Sequence, residues 1–121
     1  MKEIILSCVL PGYHDPYHEK TVRSLLDKSG LGDALEIVSV FDGFWPTWEL
    51  IKDPRRRIVH LGKNRGMRGA INAGVAVSRG DFFARIDEHC DFGQDWDKIL
   101  TDDCKENEVM TAKRSEEHTS E

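Results

Sequence analysis

An α/β fold with a mostly parallel sheet, layered as an α/β/α sandwich, is the architecture this sequence predicts. Three observations carry it. Short runs rich in apolar and β-branched residues alternate with segments of helical periodicity, the order that builds parallel strands joined by right-handed crossovers. Several of those runs are apolar almost throughout, as strands covered on both faces are. Turn residues close the runs, at Pro11-Gly12, Asp42-Gly43 and Gly62 to Gly66.

Glu3 to Leu10 is the first strand, ended by Pro11-Gly12. Asp15 then offers an N-cap acceptor and Pro16 a pre-set φ in the first turn, so a helix starts here. Its apolar stripe is Val22, Leu25 and Leu26, and Gly30 stops it. Leu35 to Phe41 is a second strand that breaks at Asp42-Gly43, followed by a Trp- and Pro-containing loop to about Pro54. Arg57 to Leu61 is a short third strand. Met67 to Ser78 is an alanine-rich helix with Gly69 and Gly74 inside it. Each internal glycine costs about 1 kcal/mol against alanine, so close packing or ligand approach is expected at both. Asp81 to Ile86 is a fourth strand, Trp96 to Asp103 a helix, and Glu108 to Thr111 opens a fifth strand.

The 121 residues suffice for one small domain with a single core. Apolar residues at 39% and charged residues at 32% mark a soluble globular chain, and a net charge of −5 gives no basic field for nucleic acid. No apolar run is long enough to cross a bilayer. The opening Met-Lys-Glu-Ile-Ile-Leu-Ser-Cys-Val-Leu carries an acid and lacks a small-residue cleavage site, so it reads as a strand and not a signal peptide. Cys8, Cys90 and Cys104 stand at no disulfide or zinc-ribbon spacing, which suits ordinary thiols in a reduced, cytoplasmic compartment. The domain is taken as residues 1–113. Residues 114–121, Arg-Ser-Glu-Glu-His-Thr-Ser-Glu, break the pattern. They are the translation of AGATCGGAAGAGCACACGTCTGAA, which resembles a sequencing adapter, and are expected to be a non-native tail.

In open parallel sheets ligands bind outside the carboxyl ends of the strands. Tyr13-His14-Asp15, Asp42, Asn64 and Asp87-Glu88-His89 all fall just past such ends and should converge on one edge. The sharpest chemical signal is Asp87-Glu88-His89. Two residues apart on an extended segment, a carboxylate and an imidazole point to the same side and can share one divalent cation. That donor pair suits manganese or a similar ion, magnesium included, with diphosphate oxygens completing the shell. The ion would offset charge on a departing nucleoside diphosphate.

The order of motifs resembles the family 2 glycosyltransferases of the GT-A fold. Ile5-Leu-Ser-Cys-Val-Leu-Pro-Gly-Tyr13 is similar to their opening strand ending in Pro-x-Tyr, and Glu36-Ile-Val-Ser-Val-Phe-Asp-Gly43 to their second strand ending in Asp-Asp-Gly. Asn64-Arg-Gly-Met-Arg-Gly-Ala-Ile-Asn-Ala-Gly74 is similar to their Asn-x-Gly loop and small-residue helix. Arg79-Gly80-Asp81 through Asp87 resembles the strand that leads to the metal motif. The likeness runs over about residues 3 to 112. The Asp-x-His-Cys spelling is closest to the polypeptide N-acetylgalactosaminyltransferases.

The resemblance implies a Rossmann-like nucleotide-sugar-binding sheet, truncated here, and transfer of a sugar from a nucleoside-diphosphate donor, UDP-linked, to a glycan, protein or lipid acceptor. It implies manganese held by Asp87 and His89, with a further ligand later in the family's chain. Pro11 and Tyr13 would flank the nucleoside, Asp42 the base or ribose, Asn64 and Gly66 the donor loop, and Arg68 the diphosphate or sugar. The catalytic base belongs to the family's later half, so this chain alone is expected to turn over little. Phe41-Asp42 replaces the usual acidic pair, which removes one acidic contact. The Trp45-Pro46 and Trp48 loop replaces a Ser/Thr-rich one.

Plainer readings stand beside these. Asn64 and Gly66 can simply cap a helix, and Arg68 and Asn72, four apart, can share a solvated face. Arg55-Arg56-Arg57 reads as a solvated turn, Trp45 and Trp48 as packing residues, and His60 as structural. The competing functions are a non-catalytic nucleotide-binding α/β domain and a nucleotidyltransferase. The latter needs a Gly-rich phosphate loop after the first strand, and Pro11-Gly12-Tyr13-His14 is not one.

Overall fold

The computed structural model describes residues 3–86 and 92–107, the last five of these through their backbone. Its elements follow in the order β1 (Leu6–Gly12), α1 (Tyr17–Asp27), a single 3-10 turn (Gly32–Ala34), β2 (Leu35–Asp42), β3 (Arg56–Leu61), α2 (Gly66–Val77), β4 (Phe82–Arg85) and α3 (Trp96–Asn107). The four strands form one wholly parallel sheet in the order β3-β2-β1-β4. The expected segment Glu108 to Thr111 lies outside the described residues.

Alternation along the buried strands sends side chains to two different layers. Leu6, Cys8 and Leu10 of β1 and Leu35 and Ile37 of β2 face Val22, Leu25 and Leu26 of α1, with Trp96 and Leu100 of α3 against the same cluster. Val9, Val38, Val40 and Leu61 face Ala70 and Ala73 of α2 on the opposite side. The result is the α/β/α sandwich that the strand–helix alternation implies. The direction of the chain reverses after β3. It first steps outward from β1 through β2 to β3, then returns through α2 to place β4 on the far side of β1. The gap between β1 and β4 is therefore the switch point of the sheet, where a crevice opens at the carboxyl ends of the strands.

Pro11-Gly12 does not end β1, as the sequence suggests, but belongs to it. The carbonyl of Val9 accepts from Ile86 N–H on the β4 side. Two residues on, Pro11 faces that same side, beyond the last described β1–β4 pair. Its missing N–H therefore leaves the β1–β2 ladder intact up to Gly12↔Phe41. The first helix also starts later than Pro16. Asp15 still serves it, its Oδ1 accepting from Tyr17 N–H at 2.9 Å.

The Arg55-Arg56-Arg57 run is not a solvated turn. Arg56 is buried under the loop that follows β2. Its guanidinium makes two hydrogen bonds to the Glu19 carboxylate, at 2.7 and 2.8 Å, and donates to Ser39 Oγ and the Ile51 carbonyl. A buried cation survives only when paired in this way. Arg57 reaches the fully buried Glu36 at 3.2 Å, while Arg55 pairs with Asp53. Glu36 also accepts from Ser7 Oγ at 2.7 Å and from the Arg79 backbone and side chain at 3.0 and 2.8 Å. One carboxylate thus ties β1, β2, β3 and the α2–β4 connection together at the amino ends of the strands.

Candidate functional site

The carboxyl edge of the sheet is built from what each strand leaves behind. Pro11 is buried at the end of β1, and Tyr13, just past it, is 54% exposed. His14 adopts a left-handed backbone with φ of 59°, an uncommon conformation for a residue with a side chain. Its ring lies 4.3 Å from Tyr13 and 4.4 Å from Phe44, so the β1 and β2 exits meet through aromatic contacts.

At the end of β2, Asp42 is only 5% exposed. Its two carboxylate oxygens accept from the backbone N–H groups of Arg65 at 2.7 Å and Gly66 at 3.0 Å, where α2 begins. The Asn64 side chain completes the turn. Its Oδ1 accepts from Gly66 N–H at 3.1 Å and its Nδ2 donates to the Asp42 carbonyl at 3.4 Å. A negative charge suits a helix N-terminus, where unpaired amides carry partial positive charge. Gly66 has φ of 79°, which a side chain would resist. Gly43, with φ of 81°, lets the chains cross: a Cβ there would sit 2.5 Å from Asn64 N. The Gly43 N–H donates to the Leu61 carbonyl at 3.0 Å and locks the β2 and β3 exits side by side.

The structure therefore brings Pro11, Tyr13, Asp42, Asn64 and Gly66 to one edge. Arg68 stands on the first turn of α2, exposed, two residues beyond Gly66. Asn64 and Gly66 do take part in the capping arrangement that the plainer reading anticipated, and Asp42, which that reading did not include, supplies its main acceptors at the carboxyl edge. Capping occupies the Arg65 and Gly66 amides, two of the donors that an anion at the start of α2 would otherwise use.

Asp87, Glu88, His89 and Cys90 lie outside the described residues. Among the described residues no group of three or more His, Cys, Asp or Glu side chains is placed to hold a metal ion. The described end of β4, Arg85 followed by Ile86, stands beside β1 at the switch point, with Asp87 next in sequence.

Sequence reasoning missed the aromatic layer beside this edge. Phe41 takes the place of an acid and is fully buried, with its ring 5.5 Å from Phe44, 6.4 Å from Trp48 and 5.6 Å from His60. Trp48 packs as expected and donates its indole N–H to Glu19 at 3.4 Å. Trp45 packs through one face alone: it is stacked on His60 with ring centroids 3.7 Å apart and is 74% exposed. The buried His60 Nδ1 has no hydrogen-bond partner in this structure. Only the spacing of aromatic residues after Asp42 hinted at this layer. Cys8 is a free buried thiol whose pKa burial pushes well above the usual thiol value, so it is inert.

The glycosyl transferase family 2 model matches residues 7–115. Among solved structures, the crystal structure of S. aureus TarS 1-349 is similar, with a TM-score of 0.69 and 19% sequence identity. The match covers 87% of this chain and 33% of that one, so the chain spans about a third of that relative. At this identity the likeness establishes the fold. No curated protein matches the chain. No helix among the described residues is long and apolar enough to cross a membrane.

Proposed function

The chain belongs to glycosyl transferase family 2, and we propose that it forms the donor-binding part of an enzyme that moves a sugar from a UDP-linked donor to an acceptor hydroxyl. The observation that carries this reading is the convergence of Tyr13, Asp42, Asn64 and Gly66 on the carboxyl edge next to the β1–β4 switch point. Tyr13 presents an exposed ring on which a nucleobase can lie. Asp42 acts mainly by holding the Asn64–Gly66 turn in place, and Arg68, on the first turn of α2, supplies a positive charge for the diphosphate.

Asp87 and His89 are the proposed ligands of a divalent cation, manganese or magnesium. Support for them is chemical: one carboxylate and one imidazole in an Asp-x-His spacing, directly following the strand at the switch point. A cation held there supplies charge stabilisation for the nucleoside diphosphate as it leaves. The acceptor, whether glycan, protein or lipid, and the base that takes its proton belong to the part of the family's length that this chain does not span.

Calorimetric titration of UDP with manganese, with excess chelator, and again on Asp87→Ala tests the reading. Binding that needs manganese and is lost in Asp87→Ala is expected. UDP affinity unchanged by chelator and by the substitution would instead support a metal-independent binding domain.

A further inference from the structure

A series of ring contacts runs from the core to the carboxyl edge. Phe41, fully buried, lies against Phe44 with ring centroids 5.5 Å apart, and Phe44, only 8% exposed, lies against His14 at 4.4 Å with the planes 32° apart. Tyr13 ends the series, its ring at 73° to that of His14 and at 88° to that of Phe44. Two near-perpendicular neighbours fix the plane of Tyr13 while leaving the side chain more than half exposed. The backbone that brings the His14 ring into this series is a disfavoured one. Its φ of 59° lies in the left-handed region, which glycine enters freely and a side chain resists. The turn around it is held by other groups. Gly12 is paired with Phe41 in the sheet, and the Asp15 side chain and carbonyl accept from Tyr17 N–H at 2.9 Å and His18 N–H at 3.1 Å. A glycine would serve that turn more easily, so the ring is what this position supplies. The β2 exit offers a nucleobase little else: Asp42 is buried with its oxygens on the Arg65 and Gly66 amides, and Phe41 is fully buried.

We propose that His14 is a positioning residue for the nucleotide: its ring, packed against both Tyr13 and Phe44, holds the Tyr13 ring in the orientation on which the nucleobase stacks. The inference rests on the donor-site reading above, which assigns Tyr13 to the base. His14 acts through its shape and not through a hydrogen bond to the ligand, so another flat ring can replace it. Without a ring at this position Tyr13 keeps its surface but gains rotational freedom, which base stacking must then remove.

The chain has two tyrosines, so tyrosine-labelled protein gives two sets of ring signals in NMR, with Tyr17 of α1 as the internal control. The Tyr13 signal, assigned by its loss in Tyr13→Phe, is expected to move saturably with uridine alone and with UDP plus magnesium, while Tyr17 stays. His14→Asn removes the ring and keeps a residue that tolerates the left-handed turn. It should weaken both ligands by the same factor, about three- to tenfold, the range for one aromatic contact. Equal losses mark an effect on the base, because a disturbance of the diphosphate region would weaken UDP alone. His14→Phe should restore both affinities to within about twofold of the parent's. In a Tyr13→Leu background, followed by calorimetry with UDP and magnesium, His14→Asn should weaken binding by less than about twofold. Parent affinity in His14→Asn overturns the proposal, as does a loss confined to UDP or an equal loss when Tyr13 is already absent. Failure of His14→Phe to restore binding overturns it too, since the imidazole would then bond to the ligand itself. A parent chain whose Tyr13 signal moves with neither ligand removes the donor reading at Tyr13 and this inference with it, a pattern distinct from binding that ignores His14.

Discussion

The Asp42 carboxylate accepts two backbone N–H bonds at the start of α2, across an interval of more than twenty residues. Helix-terminal amides are also where phosphate groups settle, so this side chain and an anionic ligand would compete for the same donors. Its removal should be felt as stability. Asp42→Ala is expected to cost about 1–2 kcal/mol, the range seen for lost helix caps, and Asp42→Asn less, because an amide oxygen still accepts. Urea unfolding of the two variants against the parent chain checks the order, and equal stability of all three would contradict it. The acid at a strand end was legible in the sequence; its partners were not, because the cap forms only once β3 brings Arg65 and Gly66 back beside β2. Phe41 shows the same limit. As a missing acid it reads as a lost contact, and only the fold shows its ring at the centre of an aromatic layer with Phe44, Trp48 and His60.

At the scale of elements, α2 shows how a local rule points to a question that packing answers. Two glycines inside a helix signal close approach of something, and for Gly74 that something is the sheet. A Cβ there would meet Val9 Cγ1 at 2.5 Å and Val40 Cγ2 at 3.0 Å, both from short branched side chains on the buried face. Gly74→Ala gains about 1 kcal/mol of helix propensity but incurs an overpacking cost of about 1–3 kcal/mol, so net destabilisation and a lower Tm are expected. A Tm equal to or above the parent's would mean that α2 can move away from the sheet at little cost. Strands and helices were readable because apolar periodicity is local information. The buried Arg56 and the Trp45 loop were not, since three adjacent arginines look solvated until Glu19 of α1 and Glu36 of β2 are placed beside them.

Across the whole molecule, two carboxylates hold separate elements together from opposite parts of the sandwich. Glu19 joins α1 to β3 and to the loop after β2 through Arg56, Ile51 and Trp48. Glu36 joins β1, β2, β3 and the segment after α2 through Ser7, Arg57 and Arg79. Burial pushes both carboxyls upward, but the hydrogen bonds from Arg56 and Ile51 to Glu19, and from Ser7, Arg79 and Arg57 to Glu36, outweigh it and hold both below the ordinary glutamate value of 4.5. A carboxyl whose pKa is lower folded than unfolded contributes stability above its unfolded value and loses it as pH falls through the folded one. These two groups therefore leave stability flat between neutrality and about pH 5, then withdraw their support as the pH drops below the 4.5 of the unfolded side chain. Urea midpoints measured from pH 7 down to pH 3 should fall on that acid limb. Glu36→Gln, which cannot titrate, should start lower at pH 7 and fall less steeply. An acid limb as steep in Glu36→Gln as in the parent chain would assign the loss to other groups and leave Glu36 a packing residue whose charge does not matter to the fold.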